Sequence, residues 1–133
     1  MRPDRIIVGE VRGEEVLDMI QAMNTGHDGS LSTGHGNSIE GMLRRLESMF
    51  LQAANFQIEA IRSQIAEGID IIVHMGRLSD KTRKVLEIAE IEGFDDNKIS
   101  LNALYKYKIN RGLVKSGNGL FNKGKLELNG MEL

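Results

Sequence analysis

The sequence predicts an α/β domain with a partly parallel sheet, and three observations lead there. Two β-branched runs, Arg5-Ile6-Ile7-Val8-Gly9-Glu10-Val11 and Ile69-Asp70-Ile71-Ile72-Val73-His74-Met75, have strand character. The first is apolar enough to be buried on both faces. Between them lie three apolar stripes at helical spacing. After the second run, Arg83 to Ile91 reads as a strand running back, which closes an antiparallel hairpin.

In chain order, the opening strand is interrupted at Arg12-Gly13. A helix is predicted from Glu14 to about Asn24, with Glu14 and Glu15 suited to the positive end of its dipole. Val16, Met19, Ile20 and Met23 form its buried stripe, and Gly26 is placed to end it. Ser30 to His35 is a short strand leading into the loop Gly34-His35-Gly36. Asn37 followed by Glu40 reads as a capping box. Behind it, Ile39, Met42, Leu43, Leu46, Met49, Phe50 and Ala53 give the strongest helix. Ile58, Ile61 and Ile65 mark a third helix closing at Gly68. Ser79 to Thr82 is a turn, Gly93 to Lys98 a loop, and Leu104 to Ile109 an alternating, half-exposed strand. Ser116-Gly117-Asn118-Gly119 is a further turn, and the residues beyond it are weakly patterned. The chain opens on its most apolar strand, whose unpaired edge calls for sheet partners from outside this sequence.

With 133 residues the chain suits one domain. Hydrophobic residues make up 41% and charged residues 27%, enough for a real core and against wholesale disorder. Trp is absent and aromatics are few, so the core must be aliphatic. The net charge of −2 gives no reason to expect nucleic acid. From Lys98 to Leu126, however, seven basic residues occur with no acidic one. Most such runs are solvated faces; docking on an acidic partner or on lipid headgroups is the sharper alternative. No cysteine is present, which excludes disulfides and thiolate zinc sites. No apolar run spans a bilayer and the first residues do not begin a secretory signal, so a cytoplasmic location is expected.

Two constellations could carry chemistry. Gly9-Glu10 ends the opening strand, and a carboxylate at the carboxyl end of a parallel strand lies where α/β folds place ligands. There it could hold magnesium through water or orient water for attack on a phosphate. An acidic residue that merely ends a strand at the surface is the commoner case. The second is Ser32-Thr33-Gly34-His35-Gly36-Asn37, where flanking glycines would let His35 approach a ligand and Thr33 could join it. Spacing alone favours a loop histidine satisfying local hydrogen bonds. A metal set of His27, Asp28 and His35 lacks a second His–carboxylate pair at helical spacing. His74, inside an apolar strand, reads as a buried structural histidine. The methionines fall on helix stripes and read as core. Gly117 and Gly119 are not a phosphate loop, because no Gly-Lys-Ser/Thr follows.

Together these residues resemble a known family. Met1-Arg2-Pro3-Asp4-Arg5-Ile6-Ile7-Val8-Gly9-Glu10-Val11-Arg12-Gly13 resembles the Walker B region of the type II/IV secretion-system ATPases. Asp18 to Ser30 is similar to the stretch that follows it in the branch serving tight-adherence (Flp) pili. Ser32 to Ser38 resembles the family's histidine box, and the pattern continues through Arg44-Arg45-Leu46-Glu47, Ile61 to Ala66, Ile69 to Val73 and Arg77-Leu78-Ser79-Asp80. The resemblance covers the first two-thirds of the chain well and the rest loosely.

The resemblance implies a single partial RecA-like P-loop NTPase motor domain over residues 1–133, the C-terminal portion from Walker B onward. Residues 1–80 would form the core with Walker B and the histidine box, and 81–133 a hairpin and basic tail region. It implies ATP and magnesium as ligands, a hexameric homo-oligomeric ring or a P-loop-containing partner, and inner-membrane pilus or secretion platform proteins, at the cytoplasmic face of the membrane. Glu10 would be the catalytic carboxylate, acting on magnesium-bound or attacking water, and His35 would report the terminal phosphate. Gly9, Arg12 and Thr33 would belong to the nucleotide site, Arg12 through ion pairing. Gly34 and Gly36 stand where the branch more often has a larger apolar residue and an Ala, which predicts a looser histidine box. The phosphate loop, the acidic box and the N-terminal domain are absent from this sequence. The isolated chain is therefore expected to be inactive, neither binding nor hydrolysing ATP appreciably. The alternative is a non-catalytic module that docks with an intact homologue or with a separate P-loop half.

Overall fold

The computed structural model describes residues 4–128, 130 and 131. Part of the Walker B-like stretch, Met1 to Pro3, lies outside the described residues. Apolar residues recurring every three to four positions wind three helices: α1 (Val16–Asn24), α2 (Ile39–Ala53) and α3 (Ile58–Gly68). Each buries one stripe against the other two, as that periodicity requires. Phe50, Ile20, Ile61 and Ile65 are almost wholly enclosed there, each contributing about 1.5–3 kcal/mol over its exposed state.

Before α1 runs β1 (Ile7–Val8), paired in parallel with β2 (Leu31–Ser32). Hydrogen bonds from Leu31 N to Ile6 O and from Val11 N to Thr33 O carry the pairing beyond the strands proper. The parallel pairing agrees with the α/β reading, but the regular strands are two residues long instead of seven and six. The second sheet is an antiparallel meander of β3 (Ile71–Arg77), β4 (Arg83–Asp95), β5 (Lys98–Lys108) and β6 (Gly112–Lys115). A short helix, α4 (Gly124–Leu128), follows. Ala89 and Ile91 of β4 join the helical core, and Ile72, Ile99 and Leu101 pack beside them. Helix α3 lies nearest, touching both β4 and β5.

Several local expectations are corrected. Residues 93–98 are not a loop: β4 runs to Asp95 and β5 begins at Lys98. Asp96 and Asn97 reverse the chain between them with φ of 50° and 58°, the two-residue turn whose twist suits a hairpin. Gly93, read as a breaker, sits instead at a register shift in the β4–β5 ladder. Helix α1 begins at Val16, because the Glu15 carboxylate accepts from the amides of Arg12 and Gly13 before the helix starts. The cap of α2 is Ser38, not Asn37, and its hydroxyl accepts from Gly41 N at 2.9 Å. Strand β6 and helix α4 carry too few apolar positions to show a period. Gly26, at φ 93°, follows the end of α1 as expected. His74 is half-buried at a register shift in β3 and not enclosed.

Two polar contacts tie the layers together. Arg62 on α3 donates from Nε to Glu47 on α2 at 2.8 Å and from Nη1 to the Asn97 carbonyl in the β4–β5 turn at 3.0 Å. On the sheet face away from the helices, Glu90 is 2% exposed. It accepts from the amides of Phe121 and Asn122 and from the Asn102 side chain, at 2.7–3.1 Å. The segment leading to α4 is thereby strapped across the sheet. Lys125 of α4 continues the strap to Asp70 at 3.0 Å and Asp28 at 3.5 Å.

Candidate functional site

Glu10 follows β1 and His35 follows β2, so the parallel pairing of these strands brings the two residues side by side. Glu10 Oε2 lies 2.5 Å from Arg12 Nη2, and Glu10 Oε1 lies 2.9 Å from His35 Nε2. The Glu10 side chain is 22% exposed, whereas those of Arg12 and His35 are mostly in solvent. Hydrogen bonding to the Arg12 guanidinium holds the Glu10 carboxyl below its ordinary pKa; partial burial opposes this, and the charges of Arg12, His35 and Arg45 reinforce it. The carboxylate is therefore ionised at neutral pH.

Thr33 Oγ1 donates to the Gly9 carbonyl at 2.5 Å. This bond fixes the strand ends that carry Glu10 and His35, and it engages the hydroxyl in local structure. Of the five residues the sequence singles out, Gly9, Glu10, Arg12, Thr33 and His35 thus all gather at one end of the parallel pair. His27 and Asp28 do not join them: His27 Nδ1 faces the Ala22 carbonyl, and Asp28 meets Lys125. Among the described residues, no group of three or more His, Asp or Glu is placed to hold a metal.

Glu10 Oε1 is shut off from solvent and accepts no aligned hydrogen bond, although His35 approaches it. An orphaned carboxylate oxygen of this kind fits a water of a magnesium shell, since magnesium keeps several waters and takes one or two carboxylates beside phosphate oxygens. Glu10 alone, acting through water, is the donor this chain offers.

Sequence reasoning gave no role to Arg45. Its Nη1 donates to the His35 carbonyl, clamping the loop from the first turns of α2. Beside that contact, a cleft of about 430 Å³ is lined by His35, Ser38, Arg44, Arg45 and Ser48. The only signal was the pair Arg44-Arg45 on the polar face of α2. The two loop glycines also have a reason. A Cβ at Gly34 would meet Met42 Cε at 2.3 Å, and one at Gly36 would meet Met42 Cβ at 3.0 Å and its backbone Cα at 3.2 Å. Met42 fills the space that larger residues would take, so the glycines leave no void. Gly36→Ala should lower stability by about 1–2 kcal/mol, because helix backbone must give way. Gly34→Ala should cost less, since only a flexible thioether end must turn. Urea unfolding of both variants checks the order.

Residues 1–124 match the family model for the type II/IV secretion system protein. The chain belongs to that family. Among its relatives, the conjugal transfer protein TrbB of Rhizobium radiobacter is 43% identical over 97 residues, which is 73% of this chain and 29% of TrbB. The type IV secretion system protein PtlH of Bordetella pertussis is 37% identical over 93 residues, 66% of this chain and 27% of PtlH. The crystal structure of the VirB11 ATPase from the Brucella suis type IV secretion system, in complex with sulphate, superposes with a TM-score of 0.63 at 34% identity. That match covers 68% of this chain and 28% of VirB11. The chain spans less than a third of the length of each, and it corresponds to a C-terminal portion of such an ATPase. Its mixed sheets and flanking helices are part of a RecA-like domain. No helix among the described residues is long and apolar enough to cross a membrane.

Proposed function

We propose that this chain is the catalytic-carboxylate portion of a secretion motor that couples ATP hydrolysis to type II/IV secretion or pilus assembly. The observation that carries the reading is Glu10: ionised, half-sheltered, and holding one unsatisfied oxygen where β1 ends beside His35. In this reading Glu10 is the Walker B carboxylate. It orients a magnesium-bound or attacking water, while bound magnesium would neutralise phosphate charge. Arg12 keeps Glu10 ionised, and Thr33 and Gly9 hold the strand ends in register. His35, on a loop clamped by Arg45, senses the terminal phosphate. The motor is cytoplasmic, works as a homo-oligomeric ring against membrane platform proteins, and uses ATP with magnesium. Asp18 to Ser30 supports the Flp-pilus branch, whereas the relatives named above serve conjugal transfer and type IV secretion.

Alone, the chain lacks the backbone amides and lysine of a phosphate loop and is inactive. A second reading, a module that docks with an intact homologue or a P-loop half, is favoured by the β1–β2 pair. Two parallel strands with open edges, and with Ile7 and Leu31 largely exposed, are too few for an independent sheet. Calorimetric titration with magnesium-ATP, alone and after adding a recombinant P-loop half, tests both readings. Heat only in the mixture is expected for a half-motor. No heat in either case favours the docking module, and heat from the chain alone would refute the claim of inactivity.

A further inference from the structure

The meander places two hairpin tips at the same end of the sheet. One joins β3 to β4 and carries Arg77, Lys81, Arg83 and Lys84; the other joins β5 to β6 and carries Lys108 and Arg111. The pairing of Glu87 with Lys106 sets them level, since Arg83 and Lys108 lie a few residues beyond that pair on neighbouring strands. Four strands span about 14 Å, close to the screening length of about 10 Å at 0.1 M salt, so the six cations act as one patch. Arg77 and Arg83 are even paired directly opposite each other, an arrangement that disfavours the sheet unless something else uses it. The one carboxylate within these tips, Asp80, is tied to the amide and hydroxyl of Thr82. Six cations less Asp80 leave +5 here; with −2 for the whole chain, the remainder carries −7.

The tips are also apolar. Ile109 projects from the second turn at 82% exposure, and Met75 is 61% exposed on the same end of β3. A solvated basic face needs no such side chains, and a nucleic acid backbone offers them nothing to bury against.

We propose that these two tips dock on an anionic phospholipid surface, with the cations among the headgroups and Ile109 entering the acyl boundary. The negative remainder of the chain is repelled, which orients the sheet end toward the lipid. Each cation near such a surface adds attraction that fades within a screening length, and a small apolar insertion supplements it. The inference rests on the sheet's own charges and not on the Glu10 site, so a failed nucleotide titration leaves it standing.

The test is co-sedimentation of the purified chain with vesicles of pure phosphatidylcholine and of phosphatidylcholine mixed with phosphatidylglycerol. Binding is expected only with phosphatidylglycerol and should weaken as salt rises. The variant Lys84→Glu/Lys108→Glu/Arg111→Glu changes only exposed positions. It should keep the circular dichroism spectrum and bind on the order of 100-fold more weakly, and Ile109→Ser about tenfold more weakly. No binding by the unaltered chain, or undiminished binding by the triple variant, overturns the proposal. So does binding to polyglutamate or duplex DNA without binding to vesicles, which would assign the patch to a protein or nucleic acid partner.

Discussion

Glu90→Ala should be the most damaging single change at a polar position, lowering stability by about 3 kcal/mol and the melting temperature by roughly 10 °C. The carboxylate is 2% exposed and accepts three hydrogen bonds, two of them from backbone amides of the strap. Removing it leaves Phe121 N, Asn122 N and the Asn102 amide without an acceptor on that face, so the strap must lift off and hydrate. Glu67→Ala, at an exposed position of α3, serves as the control and should shift melting by less than about 2 °C. The acid dependence has a definite sign. Burial alone would raise the Glu90 pKa, but the donors from Phe121, Asn122 and Asn102 outweigh it and the value lies below the ordinary one. Its stabilising contribution is therefore complete above the unfolded-state carboxylate pKa and is lost as pH falls through the lower folded value. Glu90→Gln should flatten acid unfolding over that window, and an unchanged acid profile would show that the clasp carries no such linkage.

The second large effect concerns Glu10. In a motor rebuilt from this chain and a P-loop half, Glu10→Gln should cut ATP turnover by roughly 10²–10⁴-fold while leaving nucleotide affinity nearly intact. The amide keeps the shape and can still face Arg12, but it cannot accept a proton or hold magnesium-bound water as an anion. Arg12→Ala should act in the same direction more weakly, because the hydrogen bond that most lowers the Glu10 pKa is lost. Steady-state phosphate release against a titrated binding curve separates the two quantities. Equal losses in affinity and turnover would place Glu10 in nucleotide binding instead of catalysis.

How far the sequence could lead depended on local period. The three helices were legible because their apolar stripes recur over nine or more residues. The parallel pair was legible in kind but not in length, since β-branched composition extends past the residues that actually pair. The β4–β5 turn was hidden because Gly93 looked like the breaker, while the reversal used Asp96 and Asn97, whose side chains tolerate positive φ. At the site, Glu10 and His35 stood out through strand ends and glycines. Arg45 did not, because its partner is a backbone carbonyl ten residues away. Glu90 was likewise invisible: within a strand, nothing marks a carboxylate whose donors come from a segment thirty residues later.

Arg62 gives the molecule a lever. It pins the middle of α2 through Glu47 and the bottom of the β4–β5 hairpin through Asn97, while the first turns of α2 grip the His35 loop through Arg45. Helix α2 has 15 residues and so runs about 22 Å. A small tilt at its histidine end is thus geared through one guanidinium to the far corner of the meander, and events at the site reach the sheet as a rigid stroke.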